Sequence, residues 1–243
     1  MTYLNIVNNV LRRMREDEVT SVQENTYSKM VGDFVNDAKR IVEDSWDWSA
    51  LRTTLTITTT ADVFNYVLTG SQNRIKALNV INDTANLFME YRPATFFDEA
   101  YLISDPRKSA PTYYTYNGVD SNGDTQIDIY PTPEKQYTIR FNCVLRSDDL
   151  SSNDDQLTVP VMPVLHLAIA LLARERGETG GTSAAEYFTI ANQYLSDAIA
   201  LDAQKHPEET IFYTPWGKIW HNNLTVLILL HLLLKESIQK ILR

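Results

Sequence analysis

Four histidines, one cysteine and several acidic clusters are the side chains through which this chain could hold a metal or move a proton. His166, His206, His221 and His231 are never four residues apart, and none sits in the HExxH spacing that sets two imidazoles on one helical face around zinc. His166 falls in an apolar helical stretch and reads as a hydrogen-bonded core histidine, while His206 reads as a favourable charge at a helix C-terminus. Cys143 has no histidine within its own element to act as base, and its place in the alternating run Tyr137, Ile139, Phe141, Cys143, Leu145 makes it a small core residue. Asp120, Asn122 and Asp124 match the first three liganding positions of an EF-hand loop. The sixth position is then Thr125, the twelfth is Pro131, and strands flank the loop, so a hairpin turn on Asn122-Gly123 is the reading adopted. Gly177, Gly180 and Gly181 neither follow a strand nor precede a lysine, which makes them helix punctuation rather than a phosphate loop. Asp148-Asp149 and Asp154-Asp155 lie among polar neighbours, with no apolar pocket to raise a carboxylate pKa, and read as a solvated loop. No metal, no cofactor and no catalysis are expected. A hydrolase would need a constellation assembled from residues distant in sequence.

The chain has 243 residues, enough for one generous compact unit with appendages. Hydrophobic residues at 44% and charged residues at 22% are ordinary globular values. A formal charge of -9 opposes the phosphate neutralisation that supplies most nucleic-acid affinity, which argues against tight DNA binding. A lone cysteine cannot form an intramolecular disulfide and fits a reducing origin. Asn5, Asn8, Asn9, Arg12 and Arg13 interrupt the first fourteen residues, unlike a signal peptide.

Leu4, Val7, Leu11 and Met14 recur at helical spacing behind a Thr2 cap and predict a first helix. A second runs from about Gln23 to Asp47 with Tyr27, Met30, Phe34, Ala38, Ile41 and Val42 on its apolar face, slightly weakened by Gly32. Its end, Trp46-Asp47-Trp48, is expected to plug the junction with a sheet. From residue 52 the period changes to two. RTTLTITTT, Val63 to Leu68, Arg74 to Ile81, Leu87 to Tyr91, Pro111 to Tyr116, Thr125 to Tyr130 and Gln136 to Leu145 are the expected strands of a mostly antiparallel sheet. A short helix at Thr95 to Ile103, with Thr95 and Asp98 at capping-box spacing, is expected to cover an edge. After the loop RSDDLSSNDDQ, Pro160 and Pro163 open a largely apolar helix. Ser183 and Glu186 then open a last one to about Gln204, with Tyr187, Ile190, Tyr194, Ala198 and Leu201 as its buried stripe.

The fold class read from this order is α+β: a helical bundle of about four helices carrying an inserted, mostly antiparallel β-sheet region and an extended C-terminal tail. The expected division is N-terminal helices 1–51, β-rich insertion 52–147, C-terminal helices 157–205 completing the bundle, and a tail 206–243 for partner or neighbour contact. The tail carries Phe212, Tyr213, Trp216 and Trp220 without a clean period. The apolar run Leu224 to Leu234 follows, too short to span a bilayer, and its extension to Arg243 brings in charges. It reads as a helix docking in a partner's groove, a helix folded back on its own domain, or a stretch outside the native reading frame.

The second helix ending in WDW, the strands PTYYTYNG, IDIYPTP and YTIRF, the DDQLTVP entry to the third helix of the bundle and its ARERGE ending occur here in that order. In combination they resemble the phage head-to-tail adaptor family, also called connector, gatekeeper or tail tubular protein A-like proteins, over about residues 1–216. The resemblance implies a non-enzymatic virion protein of the neck between capsid and tail. It implies a dodecameric homo-oligomeric ring bound to the portal protein, meeting a tail nozzle or tail tube protein and extending the channel through which genomic DNA passes without specific binding. Host cytoplasm before assembly and no membrane partner go with it. It also implies that the C-terminal segment reaches the portal, which makes Phe212, Tyr213, Trp216, Trp220, Leu227 and Leu230 the expected partner-binding residues. The competing class is a membrane-associated accessory protein using Leu224 to Leu234.

Overall fold

Thr2 adopts an extended backbone and accepts a 3.4 Å hydrogen bond from Asn5 N, opening α1 (Tyr3–Arg13). Asn25 and Ser28 form a reciprocal capping box at the start of α2 (Thr26–Ser45). Trp48 is buried past its end and donates from Nε1 to Val42 O at 2.7 Å, closing the helix against a short 3-10 turn, Ser49–Leu51. Strands and one helix follow: β1 (Arg52–Thr58), β2 (Asn65–Val67), β3 (Ile75–Asn82), β4 (Leu87–Tyr91), α3 (Ala94–Tyr101), β5 (Tyr113–Val119), β6 (Thr125–Tyr130) and β7 (Thr138–Leu145). The chain then returns to helix in α4 (Val161–Glu175) and α5 (Thr182–Ala203). The computed structural model describes residues 1–102, 106–177, 182–205, 212–213 and 219–220. It comprises two units, Met1–Ile199 and Ala200–Arg243. In the second, β8 (Phe212–Tyr213) pairs antiparallel with β9 (Ile219–Trp220).

The helical core is built by α1, α2 and α4. Ile6, Val7, Val10, Val31, Val35, Ala38, Val42, Val164, Ala168 and Leu172 are fully buried there, and α4 is apolar around most of its circumference, as a central helix must be. The buried face of α2 differs from the expected one. Ile41 is exposed and Tyr27, Met30 and Phe34 only half-buried, whereas Ser28, Gly32, Asn36, Lys39 and Glu43 are buried beside the valines. Hydropathy misplaced the face because polar side chains with internal partners occupy it. Gly32 is there for space: a Cβ would stand 2.4 Å from Tyr3 Oη.

A four-helix bundle overstates the role of α5. Ala191 is the buried apolar residue of its inner face, with Phe188, Leu195, Ala198 and Ile199 packed at the margin of the core. Of the expected buried stripe, Ala198 is half-buried and Tyr194, 36% exposed, packs its ring on His166 of α4, whereas Tyr187 at 37%, Ile190 at 40% and Leu201 at 66% are turned outward.

The seven strands form one curled, mixed sheet in the order β1-β7-β3-β4-β5-β6-β2. All neighbours pair antiparallel except β4 and β5, which are parallel. A parallel pair needs a crossover, and α3 supplies it, so α3 is a β-α-β connection rather than an edge cover. Its N-cap is Pro93 without a side-chain hydrogen bond, so the Thr95–Asp98 capping box is not formed. Phe96 and Phe97 instead anchor α3 edge-on against Tyr113 and Tyr130. Ile57, Val80, Ile127, Ile129, Ile139 and Phe141 fill the sheet's own core.

The loop between β7 and α4 turns Asp148, Asp149 and Asp154 to solvent, as expected, while other groups tie it to the helices. Asn36 of α2 donates to Leu150 O at 3.0 Å and accepts from Leu150 N at 2.9 Å. Asn153 O accepts from Leu4 N and Asp155 O from Tyr3 N, tying the loop to α1. Lys39 pairs with Glu43 at 3.1 Å in full burial, donates to Ser147 O at 2.9 Å, and Glu43 accepts from Ser147 Oγ at 2.6 Å. The loop therefore locks the sheet's exit to two helices through hydrogen bonds that are buried at Asn36 and partly buried at Ser147.

Candidate interaction surface

Among the described residues, His166, Cys143 and most of the acidic side chains singled out above make structural contacts. Arg13 donates from Nη1 to His166 Nε2 at 3.1 Å, so Nε2 is the acceptor and Nδ1 carries the ring proton. Burial first, and the Arg13 charge second, hold the His166 pKa below its ordinary value, and Tyr194 stacks on the ring at 4.6 Å. The Cys143 thiol is buried, donates to Thr53 O and is pushed up in pKa by desolvation, the reverse of an activated nucleophile. Asp120 Oδ1 accepts from Asn122 N and Asp124 N around Gly123 at φ +85, a turn. The Asp124 carboxylate accepts from Gly70 N at 3.1 Å and Gln72 N at 2.9 Å, pinning a neighbouring loop. Gly177, at φ +63, follows the α4 C-cap; Gly180 and Gly181 lie outside the described residues. Asp149 pairs with Arg40, which lowers the Asp149 pKa, and the low pKa of Asp155 comes from the Ser151 and Ser152 amides it accepts from. Among the described residues, no group of three or more His, Cys, Asp or Glu is placed to hold a metal ion. His206, His221 and His231 lie outside them.

What the fold leaves exposed is apolar surface. On α5, Tyr187, Ile190, Tyr194 and Leu201 stand at i, i+3, i+7 and i+14, a stripe about 21 Å long on one face. Glu186 and Asp197 flank it, and no lysine or arginine occurs between Thr182 and Ala203. The pattern was detectable in principle, because α5 also has Phe188, Leu195 and Ile199 on the opposite side, and a helix apolar on both sides needs two partners. On the sheet, Phe88 is 70% exposed opposite Ile81, in a row that continues through Arg140 of β7 to Thr56 of β1. A groove of about 340 Å³ lies between Phe64, Tyr101 and the Lys108–Asp62 ion pair. Burial pushes the Tyr101 hydroxyl pKa up, and that hydroxyl donates to Ile129 O at 2.6 Å.

An architecture of this kind, with its polar groups locked into scaffolding and large apolar side chains facing out, is that of a protein that binds proteins. Comparison with known families agrees: the profile described as SU10 adaptor protein matches residues 1–211. The chain belongs to the SU10 adaptor protein family. It is thus a member of the phage head-to-tail adaptors, a family of virion structural proteins. No curated protein matches the chain significantly. The matched span contains every element from α1 to α5 and stops immediately before β8.

The expected partner residues of the adaptor lie past that limit. Phe212 and Trp220 are opposite one another in the β8–β9 ladder, with Tyr213 opposite Ile219. Trp216, Leu227 and Leu230 lie outside the described residues. No helix among the described residues is long and apolar enough to cross a membrane, and Leu224 to Leu234 lies outside them.

Proposed function

We propose that the adaptor assembles as a dodecameric ring in the virion neck, joining the portal protein to a tail nozzle or tail tube protein and extending the DNA channel without catalysis. Family membership over residues 1–211 carries this reading. Closed cyclic assembly lets one chain build a channel wall, and it requires each protomer to present two different contact surfaces. The outward face of α5 is suited to be one of them, since apolar patches of this kind on soluble proteins mark contact sites. A formal charge of -9 suits a lumen through which DNA slides without being gripped. Before assembly the protein resides in the host cytoplasm.

The residues proposed to bind partners are Phe212, Tyr213, Trp216, Trp220, Leu227 and Leu230. The aromatic four meet the portal, because large rings supply most of the energy of a protein interface. Co-sedimentation of the full chain with the portal from the same genome tests this. Trp216→Ala together with Trp220→Ala abolishes co-sedimentation if the aromatics anchor the contact, and unchanged binding of the double variant refutes that assignment.

A further inference from the structure

We infer that the outward face of α5 on one copy is covered by the C-terminal segment Leu224–Arg243 of a neighbouring copy. The inference rests on the ring reading and gives Leu227 and Leu230 a partner, a second copy of this chain.

The face itself is the first observation. Tyr187, Ile190 and Leu201 are 37–66% exposed on a helix whose other side is already packed, and Tyr194 between them is 36% exposed with one ring face on His166. This stripe of two tyrosines and two branched aliphatics offers a hydrophobic seat of about 21 Å. Water contact with such a surface is unfavourable by roughly 25 cal/mol per Å² left uncovered.

Charge points to the occupant. Every charged side chain of α5 is acidic: Glu186, Asp197 and Asp202, the last paired with Lys205. Glu186 lies four residues before Ile190 and Asp197 four before Leu201, so both carboxylates share the face with the stripe. Leu224–Arg243 is apolar over its first eleven residues and then carries Lys235, Lys240 and Arg243 against Glu236 alone. An apolar, net basic segment matches an apolar, acidic face in both properties, and opposite charges at the rim set register and orientation.

Reach permits exchange. Residues 204–223 separate the end of α5 from Leu224; β8 and β9 fold residues 212–220 back on themselves, and the remaining eleven residues extend at most about 40 Å. That is about the width of a compact unit of this size, enough to reach the flank of an adjoining copy. Handing the segment to the next copy in one rotational sense satisfies every face once and closes a ring, a heterologous contact of the kind cyclic assemblies use.

Two full-length single variants test the proposal, Ile190→Cys on the face and Leu230→Cys on the segment, each retaining the buried Cys143. Under mild oxidation, a disulfide-linked dimer is expected from the mixture and not from Ile190→Cys alone or Leu230→Cys alone. Leu201→Cys in place of Ile190→Cys repeats the test on the same face. Glu186→Lys with Asp197→Lys in the face partner is expected to lower the yield, and Lys235→Glu with Lys240→Glu in the segment partner to restore it. Linked dimer from Ile190→Cys alone would mean that α5 pairs with α5, and overturns the proposal. So does an intramolecular bond in the Ile190→Cys/Leu230→Cys double variant with none between copies, and so does no bond in any sample. Electron microscopy of the same samples separates the two readings. Rings without the cross-link leave the ring and discard the exchange, whereas cross-linked copies that never close keep the exchange and discard the ring.

Discussion

Removing one member of the buried Lys39–Glu43 pair should be among the most damaging single changes in the helical core. Both side chains are essentially inaccessible to water, at 1% and 0% exposure, and Glu43 Oε2 has no hydrogen-bond partner among the described residues. Lys39→Met keeps the volume of the stem but leaves the Glu43 carboxylate with only the Ser147 hydroxyl at Oε1, and it strips Ser147 O of its donor. Breaking a buried pair from one side costs about 3–5 kcal/mol, because the remaining charge is neither solvated nor compensated. In a chain of this size each kcal/mol moves the melting temperature by about 2–4 °C, so the variant should melt roughly 10 °C lower. Replacing both partners, Lys39→Met with Glu43→Leu, removes the orphaned charge and should recover most of the loss. Urea unfolding of the wild type, the two single variants and the double variant gives the coupling directly. A Lys39→Met protein within about 1 kcal/mol of wild type, or a double variant no better than the worse single one, would refute the reasoning.

Gly32→Ala should destabilise by about 1–3 kcal/mol in urea unfolding despite alanine's better helix propensity, since the new Cβ meets Tyr3 Oη at 2.4 Å and Val22 at 2.9 Å. His166 stays neutral in the fold, its pKa held down by burial and then by Arg13, so the unfolded chain takes up the proton first as pH falls. Its contribution is therefore full above pH 6.5 and lost below. The wild type should lose more stability than His166→Gln between about pH 7.5 and about pH 5.5, read as the shift in urea midpoint. Asp124→Asn should cost about 1–3 kcal/mol by weakening the acceptor of the Gly70 and Gln72 amides. Neither calcium nor a chelator should shift the melting temperature of the wild type or this variant, and a calcium-dependent rise would reinstate the loop as a cation site.

All seven strands were legible because alternation survives wherever one sheet face is buried, as at Ile139, Phe141 and Cys143 of β7. Helix limits were legible where a cap or proline marks them, as at Thr2 and Pro160. The buried faces of α2 and α5 were not. In α2 the polar residues Ser28, Asn36 and Lys39 are inside, each with a partner 6 to 114 residues away that no local pattern predicts. In α5 both sides are apolar, and periodicity cannot say which side meets the core. Most of the aspartates and serines of the loop between β7 and α4 are solvent-facing as their types predict; what no local pattern showed is that its backbone at Ser147 and Leu150 is held by Lys39 and Asn36 of α2. The adaptor identity was legible in a chain of strings, each weak alone, that the family match over residues 1–211 now joins. The tail aromatics and Leu227 and Leu230 were chosen from residue type and resemblance, beyond the matched span.

Electron microscopy of the full chain mixed with the portal from the same genome tests the central claim most directly. A closed ring of the adaptor stacked coaxially on the portal, leaving an open channel, is the predicted result. Adaptor that stays apart from the portal at every ionic strength, or that binds it as isolated copies without closing, would contradict the account.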